Sequence, residues 1–185
     1  ESPVNPSART LRKLASLAVL LTVPALMGAI EEKPPIWNVV GKRSLRVWVQ
    51  QSQHRDAVRR AVGEWNAQVL PLRLRFGPDS SDADIRVYWI DKFEEPISGR
   101  TTALDEGGRY IVKADVILAM KHSDSRILNS EEMRVIALHE LGHALGLEHV
   151  ADSTSVMAAR VRVRRISSGD RKRAMQLYSA NADKR

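Results

Sequence analysis

At 185 residues with 43% hydrophobic content, the chain is one ordinary domain with room for a targeting segment, and it can close a core. It has no cysteine, which excludes disulfides, thiolate metal ligands and a cysteine nucleophile, so any metal must be held by His, Asp or Glu. The formal charge of +7 is concentrated late, residues 159–173 carrying seven basic side chains against one acidic; this is a solvated face or an attraction to an anionic surface or acidic substrate.

The first segment has the profile of an export signal. Arg9, Arg12 and Lys13 precede an uncharged, mostly apolar run from Leu14 to Ile30, and Glu31 and Glu32 follow. A cleaved signal, a retained anchor and a buried core helix all remain open, because the run contains Pro24 and has no good small-residue cleavage site after it. As an anchor it gives membrane association through residues 14–30, with the domain outside the cytoplasm. The boundaries expected are therefore residues 1–35 for signal or anchor plus linker, 36–180 for the folded domain and 181–185 for a tail.

Alternation in "SLRVWVQ" predicts a strand over Ser44–Gln50. A helix follows from about Gln53 to Leu70, with Val58, Val62, Trp65 and Val69 as its apolar stripe and Pro71 ending it. "LRLRF" and "ADIRVYWI" read as two more strands, and "GRTTAL" and "RYIVKADVILAM" as a hairpin about "DEGG". Four or five strands thus form a small sheet backed by a helix.

The next helix is capped by Asn129 or Ser130, with Asn129 and Glu132 spaced as a capping box, and buries Ile136, Leu141, Ala144 and Leu145. Gly146 stands where it should stop. A last helix runs from Ser168 or Gly169 to Tyr178, burying Ala174, Leu177 and Tyr178.

The stretch "HELGHALGLEH" carries the chemistry. Residues four apart project from one helix face, so His139 and His143 can reach a single ion, and a chain reversed at Gly146 brings His149 as the third ligand. Three protein ligands leave a tetrahedral zinc one open position, where the pKa of a water falls from about 15.7 to about 7. Glu140 lies beside the ion without binding it and is the candidate general base. The predicted reaction is amide hydrolysis with no covalent intermediate. A helix with merely hydrogen-bonded histidines is the plain alternative, and His54 and His122 are read as surface residues.

"HELGHALGLEH" followed by "SVMAA" resembles the extended zinc motif and Met-turn of the metzincin endopeptidases, and "HELGHALGL" is most similar to the matrixins. That resemblance implies an α+β, zincin-like catalytic domain: a small mixed, twisted sheet with a backing helix, an active-site helix, and a C-terminal helix after a Met-turn. It implies His139, His143 and His149 as ligands of one catalytic zinc, Glu140 as general base, and Met157 in the turn beneath the metal. An extended peptide would add to the edge strand, Arg100–Leu104, which makes Thr101, Thr102, Ala103 and Leu104 substrate-binding candidates. Arg160 and Arg162, in the expected specificity loop "AARVRVRR", join them; its arginines favour an acidic side chain after the scissile bond.

The chain departs from family patterns at Val150, where animal matrixins usually have serine. At Ala159 it has neither the tyrosine of astacin-like members nor the proline of animal matrixins. The sequence holds no cysteine, so a cysteine-switch form of latency is not expected from it. A structural calcium ion at an acidic, glycine-containing loop such as "DEGG" is a secondary candidate without dense oxygen-ligand spacing.

The expected protein is thus an exported, monomeric zinc endopeptidase acting on protein or peptide substrates. The alternative is a catalytically silent, zinc-stabilised binding module held at a membrane or anionic surface by its basic C-terminal region. Nucleic acid is not an expected partner, since charge alone speaks for it.

Overall fold

The structure, a computed structural model, describes residues 34–40 and 42–182, with side chains described as far as Ser179. The apolar run of residues 14–30 lies outside the described residues, and among those described no helix is long and apolar enough to cross a membrane.

Six strands and three helices follow in chain order: β1 (Ile36–Trp37), β2 (Ser44–Val49), α1 (Arg55–Asn66), β3 (Arg73–Phe76), β4 (Ile85–Ile90), β5 (Gly99–Glu106), β6 (Tyr110–Ala119), α2 (Ser130–Ala144) and α3 (Ser168–Ala182). The sheet order is β1-β6-β4-β2-β3, all parallel pairs, and β5 runs antiparallel along β6. The sheet is therefore mixed, as expected, with one strand more than the sequence predicted: β1 is two residues long, too short to leave a periodic signature. Its Ile36 and Trp37 are buried all the same, so the core begins where the linker was expected to end.

Alternation sets the two faces. Leu45, Val47 and Val49 of β2, Leu74 of β3, Ile85 and Val87 of β4, and Ala114, Val116 and Leu118 of β6 are all buried and pack with the helices. The opposite face carries Arg46, Trp48, Arg73, Arg75, Arg86 and Tyr88. There Arg86 pairs with Asp115 through two 2.6 Å hydrogen bonds, and Trp48 and Tyr88 meet edge to face.

Helix α1 stops earlier than predicted. Val58, Val62 and Trp65 are buried, but Val69 is 72% exposed and lies outside the helix at φ 57°. The cause is Asn66, whose side chain donates to the Leu74 carbonyl and accepts from the Leu74 N–H, both at 2.9 Å. The chain end is thereby committed to the start of β3 before Pro71 is reached. Helix α3, by contrast, runs past the predicted Tyr178 to Ala182; Ala174 and Tyr178 are buried and Leu177 is partly so.

Helix α2 has both predicted ends. Asn129 Oδ1 accepts from Glu131 N at 3.0 Å and Glu132 N at 2.9 Å, while Glu132 Oε2 accepts from Asn129 N at 2.9 Å, completing the capping box. At the other end Gly146, at φ 86°, donates to His143 O at 2.8 Å and Leu147 N to Gly142 O at 3.0 Å, a Schellman motif. A Cβ at Gly146 would meet the Pro35 carbonyl at 2.9 Å, so the position is closed to side chains by sterics as well as by backbone angle.

Three aromatic side chains claim carbonyls of this helix and its C-cap: Trp65 Nε1 donates to Leu138 O at 2.9 Å, Trp37 Nε1 to Ala144 O at 2.7 Å and Tyr178 OH to Leu145 O, the C-cap, at 2.7 Å. Helix α2 is thus fixed from α1, β1 and α3 at once.

Replacing Asn129 by Ala removes the acceptor for two orphan N–H groups. The expected loss is about 1 kcal/mol of unfolding free energy, read by urea denaturation with an unchanged m-value.

Candidate metal centre

The three histidines of the motif converge. Their Nε2 atoms are mutually 3.1 Å apart, and among the described residues they form the one set of three or more His, Asp or Glu side chains placed to share an ion. His139 is buried, His143 half-buried and His149 exposed, so the group opens to solvent on one side.

The tautomers follow from the backbone. His139 Nδ1 lies 2.7 Å from Val156 O and His143 Nδ1 lies 2.7 Å from Leu147 O. A carbonyl only accepts, so both Nδ1 atoms must be protonated donors and the neutral rings carry their lone pairs on Nε2. Two such lone pairs 3.1 Å apart, facing a third imidazole nitrogen at the same distance, repel unless a cation lies between them. Ligand atoms at tetrahedral corners about 2.0–2.1 Å from a zinc would be about 3.3 Å apart, so the donor set fits that ion in type and spacing.

Burial lowers the His143 pKa to about 4, with the neighbouring His139 adding to it and the Leu147 hydrogen bond opposing. It also lowers the His139 pKa, against the Val156 hydrogen bond. Both rings are therefore kept in the neutral, ligating form near neutral pH. The Schellman turn does double service, since the Leu147 it positions supplies the carbonyl that orients His143.

Glu140 is only 5% exposed. Burial raises its carboxyl to about pKa 7, partly offset by Thr101 on β5, whose hydroxyl lies 2.7 Å from Oε2 and 3.0 Å from the Glu140 carbonyl. A carboxyl titrating near neutrality is matched to taking up and releasing a proton. Gly99 makes this packing feasible: a Cβ there would lie 2.5 Å from Glu140 Oε1. Sequence reasoning missed Gly99, whose reason lies on another element. Thr101, singled out as an edge residue, also turns out to touch the candidate base.

Met157 is fully buried with its sulfur against Gly142, where a Cβ would stand 2.3 Å from Sδ. The turn that holds it is built on Asp170, another residue missed in the sequence. The Asp170 carboxylate accepts from Ser155 Oγ, from Val156 N at 3.1 Å, and from Ser167 N and Oγ at 2.8 and 2.7 Å, and it pairs with Arg173. Burial opposes its ionisation, but the hydrogen bonds from Ser155, Ser167 and Val156 together outweigh it and hold its pKa below the usual range. Asp170 thus fixes Val156, and through the Val156 carbonyl the ring of His139.

On β5, Thr101 pairs with Val116 and Ala103 with Ala114, on the sheet face toward α2, while Thr102 and Leu104 point the other way. Among the described strands β5 pairs only with β6, which makes it the predicted edge. After Met157 the chain leaves the metal centre at a bridge between Val150 and Ala158. There Val161 and Val163 are half-buried against the core, while Arg160, Arg162, Arg164 and Arg165 are exposed. This loop is tied back to α2 by the buried Arg134, which donates to Arg164 O at 2.8 Å and pairs with Glu131 and Glu64. His54 and His122 stand apart from the cluster and are half-buried rather than at the surface; His122 Nδ1 is 2.9 Å from Ser98 Oγ.

A family model described as Matrixin matches residues 32–179. Matrix metalloproteinase-16 of Homo sapiens is 32% identical over 122 residues, covering 56% of this chain and 19% of that protein. Matrix metalloproteinase-C of Caenorhabditis elegans is 31% identical over 120 residues, 56% of this chain and 20% of that protein. Matrix metalloproteinase-19 of Homo sapiens is 33% identical over 111 residues, 56% of this chain and 21% of that protein. The chain thus aligns with about a fifth of the length of these curated relatives.

The buried Glu140 makes metal-free stability depend on pH. Its folded pKa is raised above the ordinary 4.5, so its contribution is fully present below about 4.5 and is lost as pH rises through about 7. Metal-free Glu140→Gln should therefore gain on the metal-free parent by up to about 3 kcal/mol between pH 4.5 and pH 8, measured by chemical denaturation across that range.

Proposed function

The chain belongs to the matrixin family, and from that premise we propose that it is a zinc-dependent endopeptidase with His139, His143 and His149 as ligands and Glu140 as general base. The observation that carries the reading is the convergence of three imidazole Nε2 atoms, 3.1 Å apart, on a helix that also presents a buried carboxyl of near-neutral pKa.

A zinc ion bound there supplies Lewis acidity toward a water and toward the substrate carbonyl. The chain's own residues do the rest. Glu140 accepts a proton from the attacking water and returns it to the departing amine nitrogen, its carboxylate steadied by the Thr101 hydroxyl. The Val156 and Leu147 carbonyls hold two imidazoles in register, so little reorganisation is needed as the reaction proceeds. Met157 packs under α2 as a floor and takes no proton.

The substrate is a protein or peptide lying extended along β5, the exposed backbone of Thr101–Leu104 supplying strand-type hydrogen bonds. The loop carrying Arg160 and Arg162 forms the wall beyond the scissile bond. We assign residues 36–182, to the end of α3, to the catalytic domain and residues 1–35 to an export signal or anchor with its linker, which puts the enzyme outside the cytoplasm.

The test compares the wild type with Glu140→Ala on a mixed peptide library, with zinc content measured for both. The wild type should cleave, and a chelator should abolish cleavage. Glu140→Ala should keep one equivalent of zinc and lose about 10²–10⁴-fold in rate. Equal rates for the two would remove Glu140 from the chemistry. Silence from both, with zinc retained, would point instead to a zinc-stabilised binding module.

A further inference from the structure

At the β3 edge of the sheet, where β2 and β3 begin, a cavity of about 390 Å³ is lined by Arg43, Arg73 and Arg75 together with Ser44 and the turn Val69–Pro71. None of these residues belongs to α2, to β5 or to the loop after Met157.

The register explains why the arginines meet. Ser44 pairs with Arg73 and Arg46 with Arg75, so Arg73 and Arg75 share the outer face of β3 while Leu74 between them is buried. Arg43, just before β2, completes the set. Arg86, Arg100, Arg126, Arg134 and Arg173 each have a carboxylate partner. The side chains of Arg43, Arg73 and Arg75 have no hydrogen-bond or carboxylate partner among the described residues. A fourth cation stands close by, since Arg171 Nε donates to Gln68 O at 3.1 Å, beside the lining turn.

The rim is also held. Val69, a β-branched residue at φ 57°, occupies a conformation that costs energy, and it is kept there by Gln68 N to Trp65 O at 3.0 Å, Val69 N to Asn66 O at 3.3 Å and the Asn66 clamp on Leu74. The three guanidinium groups lining this cavity are exposed and like-charged, and they repel one another through solvent. An anion with more than one charged group relieves that repulsion, and planar N–H forks suit tetrahedral oxyanions. A concave site of this size favours a compact ligand over a flat charged surface.

We propose that this cavity binds a compact ligand carrying two or more phosphate or sulfate groups through Arg43, Arg73 and Arg75, at a site separate from the metal centre. The reading does not depend on proteolytic activity.

The test uses the full chain, with titration calorimetry and thermal unfolding in pyrophosphate and in a disulfated disaccharide; the two probes separate phosphate from sulfate. One site per chain is expected for at least one of them, with a rise in Tm and tighter binding than inorganic phosphate. Arg73→Ser/Arg75→Ser should weaken that binding by about tenfold or more. Arg109→Ser/Arg126→Ser removes the same charge elsewhere and should leave it unchanged. Equal weakening in both double variants would reduce the effect to net charge and overturn the proposal, as would binding of neither probe. Capture by vesicles of anionic lipid that pyrophosphate does not displace would overturn it in favour of a membrane contact.

Discussion

The metal centre depends on one helix being fixed in a place where its own carbonyls cannot reach water. Buried C=O groups without partners cost about 1–3 kcal/mol each, and α2 has carbonyls near its end that no further helical turn can satisfy. Trp37 of β1 and Tyr178 of α3 meet that need at Ala144 and Leu145, while Trp65 of α1 adds a second donor to the mid-helix Leu138 carbonyl. The satisfaction of a few carbonyls thereby becomes positional information. A helix anchored this way can hold His139, His143 and Glu140 to a geometry that an amphipathic surface helix, free to rock on one face, could not.

Electrostatically, the centre is built of groups pushed toward their uncharged forms. Burial drives the His139 and His143 imidazoles down and the Glu140 carboxyl up, and each is only partly corrected by a hydrogen bond. Around them lie the apolar side chains of Trp65, Met157 and Leu141. A cation held by these rings would favour the ionised form of the Glu140 carboxyl beside it. Asp170 is the exception, a carboxylate kept charged by its hydrogen bonds. It sits one layer behind the centre, where it holds the Val156 backbone without competing for the ion.

What could be read in the sequence was what local rules decide. The capping box at Asn129, the stop at Gly146 and the histidine spacing are written within a few residues of one another, and the structure has all three where the sequence put them. The hairpin also followed from short-range signals, whereas its place at the sheet edge came from the resemblance to the family. The end of α1 did not, because Asn66 is drawn away by Leu74, a partner on another element that outweighs the helical period through Val69. Strand β1 carries too few residues for any pattern. Gly99, Thr101 and Asp170 acquire their roles only across elements far apart in the chain, where spacing is silent.

The edge strand carries a consequence for the protein in concentrated solution. A row of backbone groups left unpaired along β5 is open to any extended chain, including β5 of another copy. Leu104 is 62% exposed there, and Thr102 and Ala103 beside it are uncharged. The pairing with β6 slips between Leu104 and Asp105, and such an irregularity bends an edge and makes it a poorer template for self-association. Openness to an added strand and resistance to self-pairing thus pull against each other along eight residues.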